Sequence, residues 1–104
     1  MRALALAVAV SVPLGAHAQV PAGDPAAGAA IAARWCTSCH AVGPAAGRAT
    51  DGAPTLQSVA DRPSTTVTSL TVFLRTPHDR MPDLSLTREE TDDLIAYIMS
   101  LRRR

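Results

Sequence analysis

Among the 104 residues there is no lysine, and ten arginines stand against nine aspartates and glutamates. At a formal charge of +1 the chain has no strongly basic face with which to neutralise a phosphate backbone, so nucleic acid is not an expected partner. Aromatic residues are almost absent: one Trp, one Tyr and one Phe. Alanine occurs twenty times, so the side chains alone offer little apolar volume, and something else is expected to fill the middle of the fold. Two cysteines allow one disulfide at most. The length allows a single domain.

No apolar run reaches the roughly 20 residues that a membrane-spanning helix needs. The longest, Ala3 to Leu14, is broken only at Ser11 and closes at Pro13-Leu14-Gly15. Met1-Arg2 precedes it and Ala16-His17-Ala18, a small-x-small cleavage signal, follows, so residues 1–18 read as a secretory signal peptide. An uncleaved anchor helix is the alternative, and the shortness of the run argues against it. The residue directly after the cleavage point is Gln19 and not cysteine, so a lipid anchor is not indicated. Removing 18 of 104 residues leaves one domain of 86, residues 19–104, with nine arginines, nine acidic residues and no formal net charge. A periplasmic or secreted location is expected. A domain this small has a marginal core and commonly leans on a disulfide, a metal or another staple.

Within residues 19–104 the pattern is helical. Asp24-Pro25 supplies an N-cap followed by proline at the first helical position, opening a helix to about Trp35. Gly28 inside it costs roughly 1 kcal/mol relative to alanine, a loss that close packing at a helix crossing could offset. Ala41 to Ala53 reads as a surface loop, and Thr55 to Ala60 as a helical turn after Pro54. Ser64 to Leu74 is rich in β-branched residues, yet Val67, Leu70, Phe73 and Leu74 fit a helical face, and helix is the preferred reading. Pro77 ends it, and Thr76 to Leu86 forms a loop. Thr87-Arg88-Glu89-Glu90 is a capping box. The helix after it carries Leu94, Tyr97, Ile98 and Leu101 along one stripe, with Met99 off that stripe and expected at the surface. Arg102 to Arg104 follow its end, where cations complement the helix dipole.

The chemistry lies in Cys36-Thr37-Ser38-Cys39-His40. Cys-x-x-Cys-His is the attachment sequence of a c-type haem. Three residues apart on one turn, both sulfurs can face one porphyrin edge and form thioethers with its two vinyl groups, and His40 then turns its imidazole toward the iron. Three other readings are weaker. A redox-active Cys-x-x-Cys is expected near a βαβ pattern, which is missing here. A structural zinc needs four ligands, and of the other histidines only His78 survives cleavage to join Cys36, Cys39 and His40. A Cys36–Cys39 disulfide closes too small a ring to stabilise much.

These residues resemble the small class I c-type cytochromes, over essentially the whole of residues 19–104. The resemblance rests on Gly28 eight residues before the first cysteine, Cys36 to His40, Ala53-Pro54-Thr55-Leu56, Met81-Pro82, and a final helix bearing Leu94 and Tyr97. It implies an all-α cytochrome c fold with the N- and C-terminal helices crossing beside one covalently bound haem, near Gly28 and Tyr97. Ala32 is a departure, since many relatives carry an aromatic residue there, and the crossing is expected to be looser or rebuilt from Ile31.

For the sixth iron ligand, Met81 is the first candidate, in a loop stiffened by Pro82, and a thioether opposite histidine raises the reduction potential. Met81 as plain core filler and His78 as a rival ligand stay open. A ligating histidine donates its other ring N–H to a carbonyl or carboxylate, and Pro54 matches the family position whose carbonyl takes that role for His40; Pro54 as no more than the end of the loop stays equally open. Trp35 can bond a haem propionate or simply pack. Arg48, Arg62, Arg75 and Arg80 are candidate propionate partners.

Two functions follow. One is a small periplasmic electron carrier, monomeric, exchanging with redox protein partners through weak contacts. The other is a haem-bearing subunit docked on a periplasmic dehydrogenase or oxidase. The chain has no acid/base or nucleophile–base arrangement, and six-coordinate iron has no vacant position for substrate, so catalysis is not expected. Without a lysine ring to steer encounters, the neutral chain tilts slightly toward a dedicated partner.

Overall fold

The computed structural model describes residues 10–11, 15, 20–43, 49–50, 52–76 and 80–104. The expected cleavage site at Ala16-His17-Ala18, together with Arg48, Pro77 and His78, lies outside the described residues. Within them the chain is helical, with no strands. Four helices follow in order: α1 (Pro25–Trp35), α2 (Leu56–Asp61), α3 (Val67–Arg75) and α4 (Arg88–Ser100).

Each helix starts where a polar side chain can satisfy its first free N–H groups. Asp24 caps α1 by accepting from the Ala26 N–H at 2.8 Å, and Pro25 occupies the first turn. Thr55 caps α2 through the Ser58 N–H at 3.0 Å. On α3 the capping box is Thr66 with Ser69, one of two reciprocal pairs. The other opens α4, where Thr87 accepts from the Glu90 N–H at 3.1 Å and its own N–H donates to the Glu90 carboxylate at 2.8 Å.

Helix α3 forms despite its β-branched run because Thr66 and Ser69 cap its start and Val67, Leu70 and Leu74 pack in or against the core, while its hydroxyls are satisfied on carbonyls back along the chain. Thr71 donates to the Val67 carbonyl at 2.8 Å and Thr76 to the Val72 carbonyl at 2.7 Å. It begins at Val67, three residues later than the pattern suggested, because Ser64 to Thr66 make the turn and cap.

The terminal helices α1 and α4 cross in close contact, and α2 and α3 pack on α4 as well. Because α4 meets three neighbours, its buried side is wider than the Leu94/Tyr97/Ile98/Leu101 stripe. Thr91, Leu94 and Ile95 are fully buried, and Thr91 satisfies its hydroxyl on the Thr87 carbonyl at 2.8 Å. Met99, expected at the surface, is half-buried and packs against the core for the same reason.

Two glycines make the crossing possible. A Cβ on Gly28 would overlap the Asp93 carbonyl and lie 2.8 Å from the Tyr97 Cβ; one on Gly23 would overlap the backbone of Asp92 and Asp93. The Asp24 N–H donates to the Asp93 carboxylate at 2.7 Å, tying the start of α1 to α4. Ala32 is completely buried, and Ile31 packs against the core beside it. The crossing is therefore tight at Ala32, because small residues let the two backbones approach.

The arginines after α4 do more than complement its dipole. Arg102 donates from Nε to the Ala60 carbonyl at 2.7 Å, and its Nη2 to the carbonyls of Arg62 and Thr65. Arg103 pairs with Asp61 at 2.7 Å, and Gln57 donates to the Leu101 carbonyl. The chain end thus latches α2 and the α2–α3 corner.

Candidate functional site

Helix α1 stops at Trp35, and the next four residues make one further turn. The Cys36 N–H still bonds to the Ala32 carbonyl at 2.9 Å, and the His40 N–H closes on the Cys36 carbonyl at 2.8 Å. This turn puts Cys36, Cys39 and His40 on the wall of a single cavity of about 1030 Å³. Ligand cavities commonly measure about 300–1,000 Å³, so this one suits a large group. Leu56, Leu70, Leu94 and Ile98 line its apolar side. Met81 and Pro82 also line it, as does Pro54.

Both thiols are free, so no disulfide competes for them. Cys36 is buried and Cys39 half-buried, and burial pushes the Cys36 thiol above its ordinary value. Bonding that sulfur into a thioether removes the ionisable group and its desolvation cost.

The Nδ1 of His40 lies 2.6 Å from the Pro54 carbonyl oxygen. A carbonyl only accepts, so Nδ1 carries the proton and Nε2 keeps its lone pair for a metal. Pro54, the acceptor expected for His40, thus stands within hydrogen-bond distance of its ring. Among the described residues, no cluster of three or more His, Cys, Asp or Glu side chains is placed to hold a metal ion. Two thiols, one imidazole and one thioether line the cavity, a donor set that fits a porphyrin, which brings its own metal coordination.

The loop after His40 is pinned back to the motif in a way the sequence did not signal. The Thr50 N–H bonds to the Cys39 carbonyl at 2.8 Å, and its hydroxyl to the Ser38 carbonyl at 3.2 Å. The Leu56 N–H bonds to the Ala41 carbonyl at 3.0 Å, holding Pro54 within reach of His40. Gly43, at φ +83°, lies beside the Tyr97 hydroxyl, which a Cβ there would approach to 3.3 Å.

Of the candidate propionate partners, Arg62 and Arg80 line the cavity, and Arg75, exposed on α3, does not. Trp35 lines it too, 51 % exposed, with the Arg34 guanidinium 5.0 Å from its ring centroid.

Residues 23–98 match the family model described as cytochrome c oxidase, cbb3-type, subunit III. The chain is also 39 % identical over 102 residues to cytochrome c-552 of Bradyrhizobium diazoefficiens, covering 98 % of this chain and 95 % of that protein. No solved structure matches it.

Proposed function

Since the chain belongs to the c-type cytochrome family and works by haem-based electron transfer, with covalently bound haem c as its cofactor, we propose that it is a small periplasmic electron carrier with His/Met-ligated iron. Cys36 and Cys39 would hold the haem by thioethers, His40 would give Nε2 to the iron, and Met81, on the same cavity, would give its sulfur. Residues 1–18 are removed on export.

The observation that carries this reading is the bond of His40 Nδ1 to the Pro54 carbonyl beside two free thiols, with Met81 on the same cavity. The bound haem supplies a one-electron Fe(III)/Fe(II) couple. The chain's residues then orient that couple and exclude water from it. Pro54 fixes the imidazole and raises its basicity. The thioether of Met81 favours Fe(II) and so a higher potential. The leucines and Ile98 keep the macrocycle in a low-dielectric environment.

A second reading is a haem-bearing subunit of a periplasmic oxidase or dehydrogenase complex. It is favoured by the family description, which names an oxidase subunit. The near-complete overlap with a relative named simply as a cytochrome favours the carrier. Among the described residues, no helix is long and apolar enough to cross a membrane.

The test has three measurements. The intact mass of the exported protein should equal residues 19–104 plus one haem. Met81→Ala should abolish the weak sulfur-to-iron band of the oxidised form, lower the potential and admit cyanide or imidazole; an unchanged spectrum excludes Met81, and the same losses in His78→Ala would assign His78 instead. Size-exclusion chromatography of a native extract should show haem absorbance at monomer size for a carrier and with a larger enzyme for a subunit.

A further inference from the structure

The α2–α3 corner, residues 61–66, forms one wall of the haem cavity through Arg62, Ser64 and Thr65. Arg62, Pro63 and Ser64 are exposed, and of residues 62–66 only Thr65 is buried. Besides the Thr65 hydroxyl on the Val59 carbonyl and the Ser69 hydroxyl on the Ser64 carbonyl, Arg102 holds the corner, a residue that lines no part of the cavity. Its guanidinium bonds to the carbonyls of Ala60, Arg62 and Thr65, bracketing the corner at three points. A planar fork of five donors can do this; an ammonium cannot.

The hydroxyls of this corner are unequally engaged. Thr65 donates to the Val59 carbonyl at 2.6 Å, and Ser69 is committed to its capping box and to the Ser64 carbonyl. Among the described residues, the Arg62 guanidinium and the Ser64 hydroxyl are left without a partner. The corner is also electropositive. Asp61 is its one carboxylate and is neutralised by Arg103, while Arg62 and Arg102 remain. A haem carries two carboxylates, and on this wall of the cavity Arg62 and Ser64 offer the cation and the hydroxyl donor that would bind them. Arg80 is the other cation on the wall, exposed next to Met81 and without the backbone bracing that Arg102 gives the Arg62 turn.

We infer that Arg102 is a positioning residue for the haem: from outside the cavity it holds the Arg62–Thr65 turn so that Arg62, with Ser64, binds the haem carboxylates. This rests on the haem reading above. The consequence for the iron is electrostatic. A cation fixed near the macrocycle disfavours the more positive Fe(III) state, so Arg62 raises the reduction potential, and Arg102 governs how fully it does so.

The experiment uses holoprotein of the wild type, Arg62→Gln, Arg102→Ala and the double variant. Resonance Raman spectra give the propionate-bending band, redox titration gives the midpoint potential, and absorption spectra report iron ligation. Arg62→Gln should shift the band and lower the potential with ligation unchanged. Arg102→Ala should shift the same band in the same direction, and the double variant should show no larger band shift than Arg62→Gln alone, the signature of two residues acting in series. If Arg102→Ala does not accumulate, Arg102→Lys keeps the charge, loses the fork and is read the same way. An Arg102 variant that melts earlier with its band unmoved would make Arg102 a structural clamp only and overturn the inference. So would an unmoved band in Arg62→Gln, whichever way Arg80→Gln behaves. A wild-type protein that carries no haem would overturn the haem reading instead, and the mass measurement detects that separately.

Discussion

Position 40 shows how a single backbone acceptor sets the chemistry of a side chain, since the Pro54 carbonyl fixes the His40 tautomer. Proline suits that place because its own φ is restricted and the carbonyl before the Thr55 cap is held still. Asp61 shows the same logic on the latch. Hydrogen bonds from the Arg103 backbone and side chain, with a smaller one from Gln57, hold its carboxyl below the ordinary carboxylate value. A lowered folded-state pKa means stability that is complete above the unfolded value, about 3.9, and is lost as pH falls through the folded one. Holoprotein should therefore lose part of its thermal stability only below about pH 4 on this account. Asp61→Asn should flatten that acid limb and leave the melting temperature near pH 7 lower by a small, salt-dependent amount, as measured by circular dichroism melts across pH. An acid limb of unchanged slope would remove Asp61 from the explanation.

Helices α1 and α4 depend on Gly28 in a way that can be measured. A side chain there meets the Asp93 carbonyl, which is backbone and cannot rotate away, so the helices must separate. Gly28→Ala should cost about 1–3 kcal/mol and Gly28→Val at least about 3 kcal/mol of holoprotein stability by denaturant titration, with iron-ligation spectra near normal. Unchanged stability in Gly28→Val would show that the crossing is not close. The helices themselves were legible because their signals are local: the caps Asp24 and Thr87 and the apolar spacing on α4 need no knowledge of the rest of the chain, whereas the Thr66 cap that starts α3 falls inside the stretch that the sequence pattern reads as helix. The Cys36-to-His40 motif was legible for the same reason. Ile95, Met99, Thr50 and Arg102 were not. Ile95 and Met99 are covered because α4 touches three partners at once, and Thr50 and Arg102 act through backbone carbonyls, which any sequence supplies. Contacts between a side chain and a distant carbonyl leave no trace in residue type at the accepting end.

Taken as one body, the protein encloses a cavity of about 1030 Å³ with a fold whose buried hydrophobic residues include four alanines and only a handful of leucines and isoleucines. None of its three aromatic residues is fully buried: Trp35 is 51 % and Phe73 45 % exposed, and Tyr97 is half-buried. Such a core buries too little apolar surface to offset the conformational entropy of the chain, about 1–2 kcal/mol per ordered residue for the backbone alone. Side chains from α1, α2, α3 and α4 all reach the cavity wall, so whatever fills it joins every helix to the others. Folding and cofactor are then linked: a group bound by the native state and not by the unfolded chain adds its binding free energy to stability. Local caps and the α1–α4 crossing would survive only as fluctuating structure without it, because helices of 6 to 13 residues are marginal alone. Cys36→Ala/Cys39→Ala, which cannot form the thioethers, should give a chain with little stable helix by circular dichroism and no cooperative melt, while the wild-type holoprotein melts in one transition. A haem-free variant that retained full helix content and melted cooperatively would show that the α1–α4 interface suffices as a core, with the haem an addition to a fold already stable without it.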